Sequence, residues 1–192
     1  MPGGPMAKGE IGDYLLANAQ IRVVISDIAH RIGFAKSGGN IIDAVTAPGG
    51  EDQLSEFFTY FDDTFPRHAI YTEIEIVAAG GSDGAAVIRV RGHDSTNSAL
   101  KVTTDYALDP NAFAVRILTS VSNEGAVEIP KFELGDVVQW GMAEHFGPGF
   151  GFNLEGQRPQ AHWLAGRGKG LSYGLIARAG KMDTRNGLAW SD

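Results

Sequence analysis

The stretch that decides the fold runs from residue 70 to residue 122 and has the sequence IYTEIEIVAAGGSDGAAVIRVRGHDSTNSALKVTTDYALDPNAFAVRILTSVS. Apolar and polar residues alternate along four segments of it, residues 70–78, 85–92, 100–108 and 112–122. Such alternation is typical of β-strands that bury one face, because successive side chains point to opposite sides of a sheet. Glycine, asparagine, aspartate and proline separate the segments, as they do in tight turns. The stretch therefore predicts a four-stranded antiparallel meander.

The sequence before the meander predicts further strands. Residues 21–25, IRVVI, are rich in β-branched side chains, which suit a pleated strand, and they follow a short extended run at 14–16 and a turn at 18–20. A glycine-rich loop comes next, and the strand pattern resumes at residues 41–45.

Residues 51–61 leave two alternatives open. Their apolar residues recur at the spacing i, i+3, i+4, i+7, which is the period of a helix, at Leu54, Phe57, Phe58 and Phe61. The segment is short, however, and its Phe, Thr and Tyr residues suit a strand equally well.

The sequence after the meander adds a strand at 132–141, a glycine-rich loop at 144–156 and a strand at 171–179. We therefore predict an all-β fold, a β-sandwich of two packed antiparallel sheets with little or no helix. One domain is expected at 12–192, truncated at its C-terminus, after a flexible leader at 1–11. The predicted core consists of Val23, Ile25, Ile42, Ile74, Ile76, Val87, Val90, Val102, Val115, Ile117, Val121, Phe132 and Val138.

Composition excludes several classes of protein. The chain has 192 residues, 26 of them glycine, and a formal net charge of -7, which argues against nucleic-acid binding. It has no cysteine, so disulfides, cysteine-ligated zinc, iron–sulfur clusters and thiol catalysis are excluded. No apolar run is long enough to span a membrane, and the first residues lack the apolar segment of a signal peptide.

Charge is distributed unevenly along the chain. Residues 41–63 carry six acids and no base, whereas residues 157–185 carry six bases and one acid. We interpret both stretches as solvated faces or loops. The alternative is that the basic stretch meets an acidic partner or a glycan.

Three groups of polar residues are candidates for a site. Glu144 and His145 are adjacent in the glycine-rich loop and combine a carboxylate with an imidazole, the pair used for acid–base work near neutral pH. On a strand, adjacent side chains would point to opposite faces, so a structural role is the alternative. The other two groups are the cationic strip of Arg89, Arg91 and His93, which would suit a carboxylate or sugar hydroxyls, and a metal-site candidate formed by Asp62, Asp63 and His68.

Aromatic residues supply a fourth candidate. Sugar rings stack on aromatic side chains through their apolar C–H faces, and one or two exposed rings suffice for a binding platform. Most members of the set must be core residues. The set consists of Trp140, Phe146, Phe150, Phe152, Trp163 and Tyr173.

The strands together resemble a known family. The segments GDYLLANAQIRVVI, SGGNIIDAV, VIRVRG and LKVTTDYALDPNAFAVRILTSVSNEG resemble the opening and central meander of galactose mutarotase-like, or β-supersandwich, domains over residues 12–156. The segments LGDVVQWG and EHFGPGFGF are also similar to β-sandwich modules beside metallohydrolase or carboxypeptidase-regulatory-like domains in large bacterial surface proteins.

The resemblance implies a fold more than an activity. Sugar mutarotases carry a catalytic histidine four residues before the Asn of a motif like FNLxG, and Gly149 stands there in this chain, with His145 eight residues before Asn153. Their catalytic base is a C-terminal glutamate, and no glutamate follows Glu155 here. The acid–base pair is therefore incomplete.

We predict a non-catalytic module of a larger bacterial protein that recognises a carbohydrate or a protein partner without cofactor or metal. An extracytoplasmic location is favoured over others. The alternatives are a mutarotase or epimerase, with His145 as acid and Glu144 or Glu155 as base, and a purely structural domain that assembles through its edge strands. The predicted ligand-binding residues are Arg89, Arg91, Trp140, Glu144, His145 and Phe150.

Overall fold

A computed structural model describes residues 1–62, 64, 66–147, 150–152 and 160–184, with residues 150–152 described by their backbone. This part of the chain contains strands and no helix. The strands, in chain order, are β1 (Tyr14–Ala17), β2 (Ile21–Ile25), β3 (Ile41–Thr46), β4 (Glu56–Phe61), β5 (Ala69–Ala79), β6 (Ala86–Asp94), β7 (Leu100–Leu108), β8 (Arg116–Asn123), β9 (Leu134–Gln139), β10 (Glu144–Gly147), β11 (Phe150–Phe152), β12 (Gln160–Ala161), β13 (Trp163–Arg167), β14 (Ser172–Ile176) and β15 (Met182–Asp183).

Two large antiparallel sheets form the body of the protein. One has the order β1-β2-β3-β4-β9, and the other is the predicted meander, in the order β5-β6-β7-β8. The two sheets share one apolar core, to which β2 and β4 contribute from one side and β6 and β7 from the other. The prediction of an all-β, sandwich-like fold is thus confirmed. Two smaller sheets follow, one of order β11-β10-β13-β14 and one that pairs β12 with β15.

The ambiguous segment at residues 51–61 contains strand β4, which is buried on both faces. Phe57 and Phe61 pack into the core between the large sheets. On the opposite face, Phe58 and Tyr60 form a second apolar cluster. A strand that is covered on both sides needs no alternation of polar and apolar residues, so its sequence can imitate a helical spacing.

Most of the predicted core lies inside the protein, but Ile76 is wrong, with 62% of its surface exposed. The register of β5 against β6 shifts between Tyr71 and Glu73 and again between Ile76 and Ala78, as in β-bulges. Because of the first shift, Tyr71 faces the core on the same side as Ile74, whereas simple alternation put them on opposite faces. On β6, Ile88 is buried in place of the predicted Val87, which is half-buried.

Residues 1–11, for which we predict a flexible leader, lie against the five-stranded sheet in the structure. Gly3 forms a parallel bridge with Glu51, and the Lys8 N–H donates a hydrogen bond of 2.7 Å to the Asp43 carboxylate. At the other end of the chain, Tyr173 and Leu175 of β14 pack against the main core. Within the described residues, no helix is long and apolar enough to cross a membrane.

Candidate functional site

Glu144 and His145 lie on β10 and do not come together as an acid–base pair. Glu144 is opposite Arg167 of β13, whose guanidinium donates a hydrogen bond of 2.7 Å to its carboxylate. The His145 ring stacks on Trp140, with ring centroids 6.3 Å apart and an interplanar angle of 9°. Adjacent residues of a strand point to opposite faces, so the carboxylate and the imidazole lie on different sides of this sheet.

Trp140 is a packing residue in this arrangement. A Cβ atom added to Gly166 would come within 2.4 Å of Cε3 of the indole, so the ring lies directly on the β13 backbone. The predicted binding residue Phe150 pairs with Gly147 through its backbone, and its side chain lies outside the described part of the chain. Gly149, Asn153 and Glu155 also lie outside it.

The other face of this four-stranded sheet carries an aromatic surface, which we call the outer patch. Phe146 of β10 pairs with Ala165 of β13, which in turn pairs with Gly174 of β14. Two residues further along the same face, Trp163 of β13 pairs with Ile176 of β14. Cross-strand partners share a face, so these five residues lie side by side. Glu144, Arg167 and Ser172 lie on the same face, next to Phe146, Ala165 and Gly174. Glu144 and Arg167 form an ion pair there.

The geometry of the outer patch is that of a flat platform. Phe146 and Trp163 meet edge to face, with centroids 5.8 Å apart at 80°. Trp163 keeps 37% of its surface exposed and Ile176 keeps 72%. Among the described residues, a Cβ atom on Gly174 would meet only the Leu164 carbonyl oxygen, at 3.9 Å, so no described side chain touches that position. An apolar floor with charged groups at one end can stack a ring and hydrogen-bond its substituents.

The predicted cationic strip is paired with carboxylates of the neighbouring strands. The Arg89 guanidinium donates two hydrogen bonds, of 2.6 and 2.7 Å, to Asp105 on β7. Arg91 forms an ion pair of 2.7 Å with Glu75 on β5. The charge of this strip is therefore balanced within the meander, as expected for an outward-facing polar surface.

The predicted metal residues do not assemble in the described part of the chain, which contains no cluster of three potential ligands. Asp62 pairs with Arg67. His68 is buried, where its Nε2 accepts a hydrogen bond from the Lys36 N–H at 3.1 Å. Burial lowers the pKa of His68, so its ring is neutral near pH 7. Asp63 lies outside the described residues.

The acidic stretch at 41–63 is not a solvated face throughout, and this expectation is corrected. Asp43 and Asp52 are buried: the Asp43 carboxylate accepts the N–H groups of Lys8 and Gly9, and Asp52 accepts that of Ala44 at 2.8 Å. Burial, with the nearby charge of Asp43, raises the pKa of Asp52 to about 6. These carboxylates accept backbone N–H groups that would otherwise need water as a partner. Glu56 is buried in the same way.

Sequence reasoning missed one further residue, Asp136 of β9. It lies opposite Thr59 of β4 and accepts a hydrogen bond of 3.4 Å from the threonine hydroxyl. Burial raises the pKa of its carboxyl group to about 7. The sequence does contain a signal for this residue. In the strand LGDVVQ, alternation places Asp136 on the same face as Leu134 and Val138, where an apolar residue is expected.

Comparisons of the chain with models of known protein families, with curated proteins and with solved structures found no match. The resemblance to galactose mutarotase-like domains stays a prediction. Two features of the structure bear on function, the outer patch and the surroundings of Asp136.

Proposed function

We propose that the chain is a non-catalytic carbohydrate-recognition module that binds sugar rings on the outer patch. The observation that carries the proposal is the Phe146–Trp163 pair on an exposed sheet face with a floor of small residues. A pyranose ring stacks its C–H face on the indole, while its hydroxyl groups reach the carboxylate of Glu144 and the guanidinium of Arg167. Such a shallow site gives weak binding, with a Kd of roughly 1 mM for one ring.

The lack of catalysis is part of the proposal. Glu144 and His145 lie on opposite faces of β10, and the His145 ring is stacked on Trp140. An acid and a base that act on one carbon atom must both reach it from hydrogen-bonding distance. The arrangement thus favours recognition over epimerisation. In this proposal the module serves a larger, extracytoplasmic bacterial protein as an accessory domain.

The test is a glycan array followed by NMR titration of the sugars that bind. Trp163→Ala should weaken binding at least tenfold. Gly174→Leu should do the same by covering the floor, because its Cβ meets no atom closer than 3.9 Å and the fold can accommodate it. Gly135→Leu is the matched control, because this glycine lies on β9 and a Cβ there would meet none of the described residues within 4 Å. The affinity of this variant for sugar should equal that of wild type.

Four outcomes would overturn the proposal. A wild-type chain that binds no glycan refutes it, and so does binding that survives Gly174→Leu. Polarimetry on free hexoses gives the third: catalysed mutarotation that is lost in His145→Ala would favour the enzyme instead. Self-association in light scattering that disappears in Ile176→Ser would assign the outer patch to assembly, since Ile176 lies on β14 at the end of its sheet.

A further inference from the structure

The inner faces of the two large sheets are less buried where the sheets end, at β8 and at β9. The meander ends at β8 and the five-stranded sheet ends at β9. On β7 the inward residues are fully buried, but their partners on β8, namely Ile117, Thr119 and Val121, are only half-buried. On β9 the inward residue Leu134 keeps 46% of its surface exposed. Solvent therefore reaches the inner face of each sheet at its edge strand, and we call the region of these two edges the β8–β9 cleft.

Asp136 lies in the β8–β9 cleft. It shares the inward face with Leu134 and Val138, and its accessible surface is that of an exposed residue. Burial among protein atoms nonetheless raises the pKa of its carboxyl group to about 7. The two observations agree for a side chain inside a recess, surrounded by protein atoms but still reached by water. Apart from Thr119, the other inward residues of these edge strands are apolar, as in most ligand sites, namely Ile117, Val121, Leu134 and Val138.

A chain of hydroxyl groups crosses the core from Asp136 to Thr119. Thr59 Oγ1 is 3.4 Å from the carboxylate, Tyr71 Oη is 3.2 Å from Thr59 Oγ1 and 2.7 Å from Thr104 Oγ1, and Thr104 Oγ1 is 2.9 Å from Thr119 Oγ1. The three middle residues are fully buried, whereas both ends are reached by solvent.

Counting the protons shows which group donates in each hydrogen bond of this row of hydroxyl groups. An ionised carboxylate only accepts, and each hydroxyl group has one proton to donate. Thr59 therefore donates to Asp136, Tyr71 to Thr59, Thr104 to Tyr71, and Thr119 to Thr104. Each end then offers the cleft acceptors only, namely the second carboxylate oxygen at Asp136 and the hydroxyl oxygen at Thr119.

We propose that the β8–β9 cleft binds a small apolar ligand through a primary ammonium group. An ammonium has three donors and no acceptor, which complements the free acceptor oxygen of Asp136, and its charge matches the carboxylate. None of the ion pairs among the described residues involves Asp136, so no described basic group matches its charge. The alkyl part of the ligand would cover Leu134 and Val138. The proposal does not depend on sugar binding at the outer patch.

The test compares hexylamine with 1-hexanol by NMR titration of the whole chain. At pH 8.5 the amine should bind at least tenfold more tightly than the alcohol. Asp136→Asn, which keeps the shape of the side chain, should remove that preference. Asp83→Asn is the matched control, because Asp83 is exposed in the turn between β5 and β6 and its loss should leave amine binding unchanged.

Binding should also depend on pH. Among the described residues, the titratable groups that face Asp136 are the phenols of Tyr71 and Tyr106. Burial raises their pKa values to about 12 and well above 10, so both stay neutral. Since the carboxyl group titrates near pH 7, amine affinity at pH 5.5 should be about 30-fold lower than at pH 8.5.

Three results would overturn the proposal. They are equal affinity for amine and alcohol, unchanged amine binding in Asp136→Asn, and no amine binding at 10-fold molar excess over about 1 mM protein. The first and third need no variant, so they decide the question even if Asp136→Asn fails to fold.

Discussion

Replacing Glu56 by glutamine should change how the stability of the protein depends on pH. Glu56 is 1% exposed on β4, and its carboxylate accepts hydrogen bonds from the N–H groups of Phe34, at 3.0 Å, and Ala35, at 3.5 Å. These contacts hold the loop before β3 over the second face of β4. Glutamine keeps the carbonyl acceptor and the volume of the side chain but removes its charge.

The magnitude follows from the pKa of this carboxyl group. Burial raises it from 4.5 to about 7, although the two backbone hydrogen bonds and the charge of Lys8 act in the opposite direction. A folded-state pKa above the unfolded value means that ionisation destabilises the fold. The contribution is fully present below about pH 4.5 and is lost as pH rises through about 7. At about 1.4 kcal/mol per unit, the loss amounts to about 3 kcal/mol.

The assay is urea unfolding followed by tryptophan fluorescence at several pH values between about 4.5 and 8. The free energy of unfolding of Glu56→Gln minus that of wild type should rise by about 3 kcal/mol across this range. Asp52 and Asp136 titrate in the same window but are present in both proteins, so they cancel in the difference. Glu128→Gln, an exposed position, should give a constant difference. Parallel profiles for wild type and Glu56→Gln, with equal m-values, would refute the reasoning.

Three further predictions test the core and the turns. Tyr106→Phe removes a buried hydroxyl that donates to the Gly39 carbonyl at 3.0 Å, and should lower the free energy of unfolding in urea by about 1–3 kcal/mol. Gly92→Ala places a Cβ 1.9 Å from the Ile70 carbonyl oxygen and should lower the free energy of unfolding by at least about 2 kcal/mol. Gly84→Ala is the control, because a Cβ there meets none of the described residues within 4 Å, and it should stay within about 0.5 kcal/mol of wild type in the same assay. Although burial opposes it, the hydrogen bond from Arg67 lowers the pKa of Asp94, so Arg67→Gln should flatten the loss of stability measured below about pH 4.

Local pattern predicts most of the fold of this chain. Strand β2 has the predicted bounds, and the meander has the predicted order, because each of its strands pairs with the next one along the sequence. The prediction fails where tertiary structure changes which residues of the apolar–polar alternation are buried. The bulge after Tyr71 moves this residue into the core, and β4 loses its alternation because a loop covers its outer face.

The sites are harder to predict than the strands. Strand alternation predicted that Glu144 and His145 would point to opposite faces, and the structure places them so. The outer patch was visible only as a set of aromatic residues, since pairing of β10 with β13 decides which of them share a face. Asp136 stood out in an apolar pattern, but its position facing Thr59 depends on a pairing between residues far apart in sequence.

The pairing of β4 with β9 also has a consequence for the order of folding. Its partners, such as Glu56 and Gln139, are separated by the whole meander, so direct closure would cost the entropy of a very long loop. The meander needs only short turns, and once formed it brings its two ends into a compact unit that shortens this loop. We therefore expect hydrogen-exchange protection to develop first in β5 to β8 and last in β9. The β8–β9 cleft would then be the last part of the molecule to assemble.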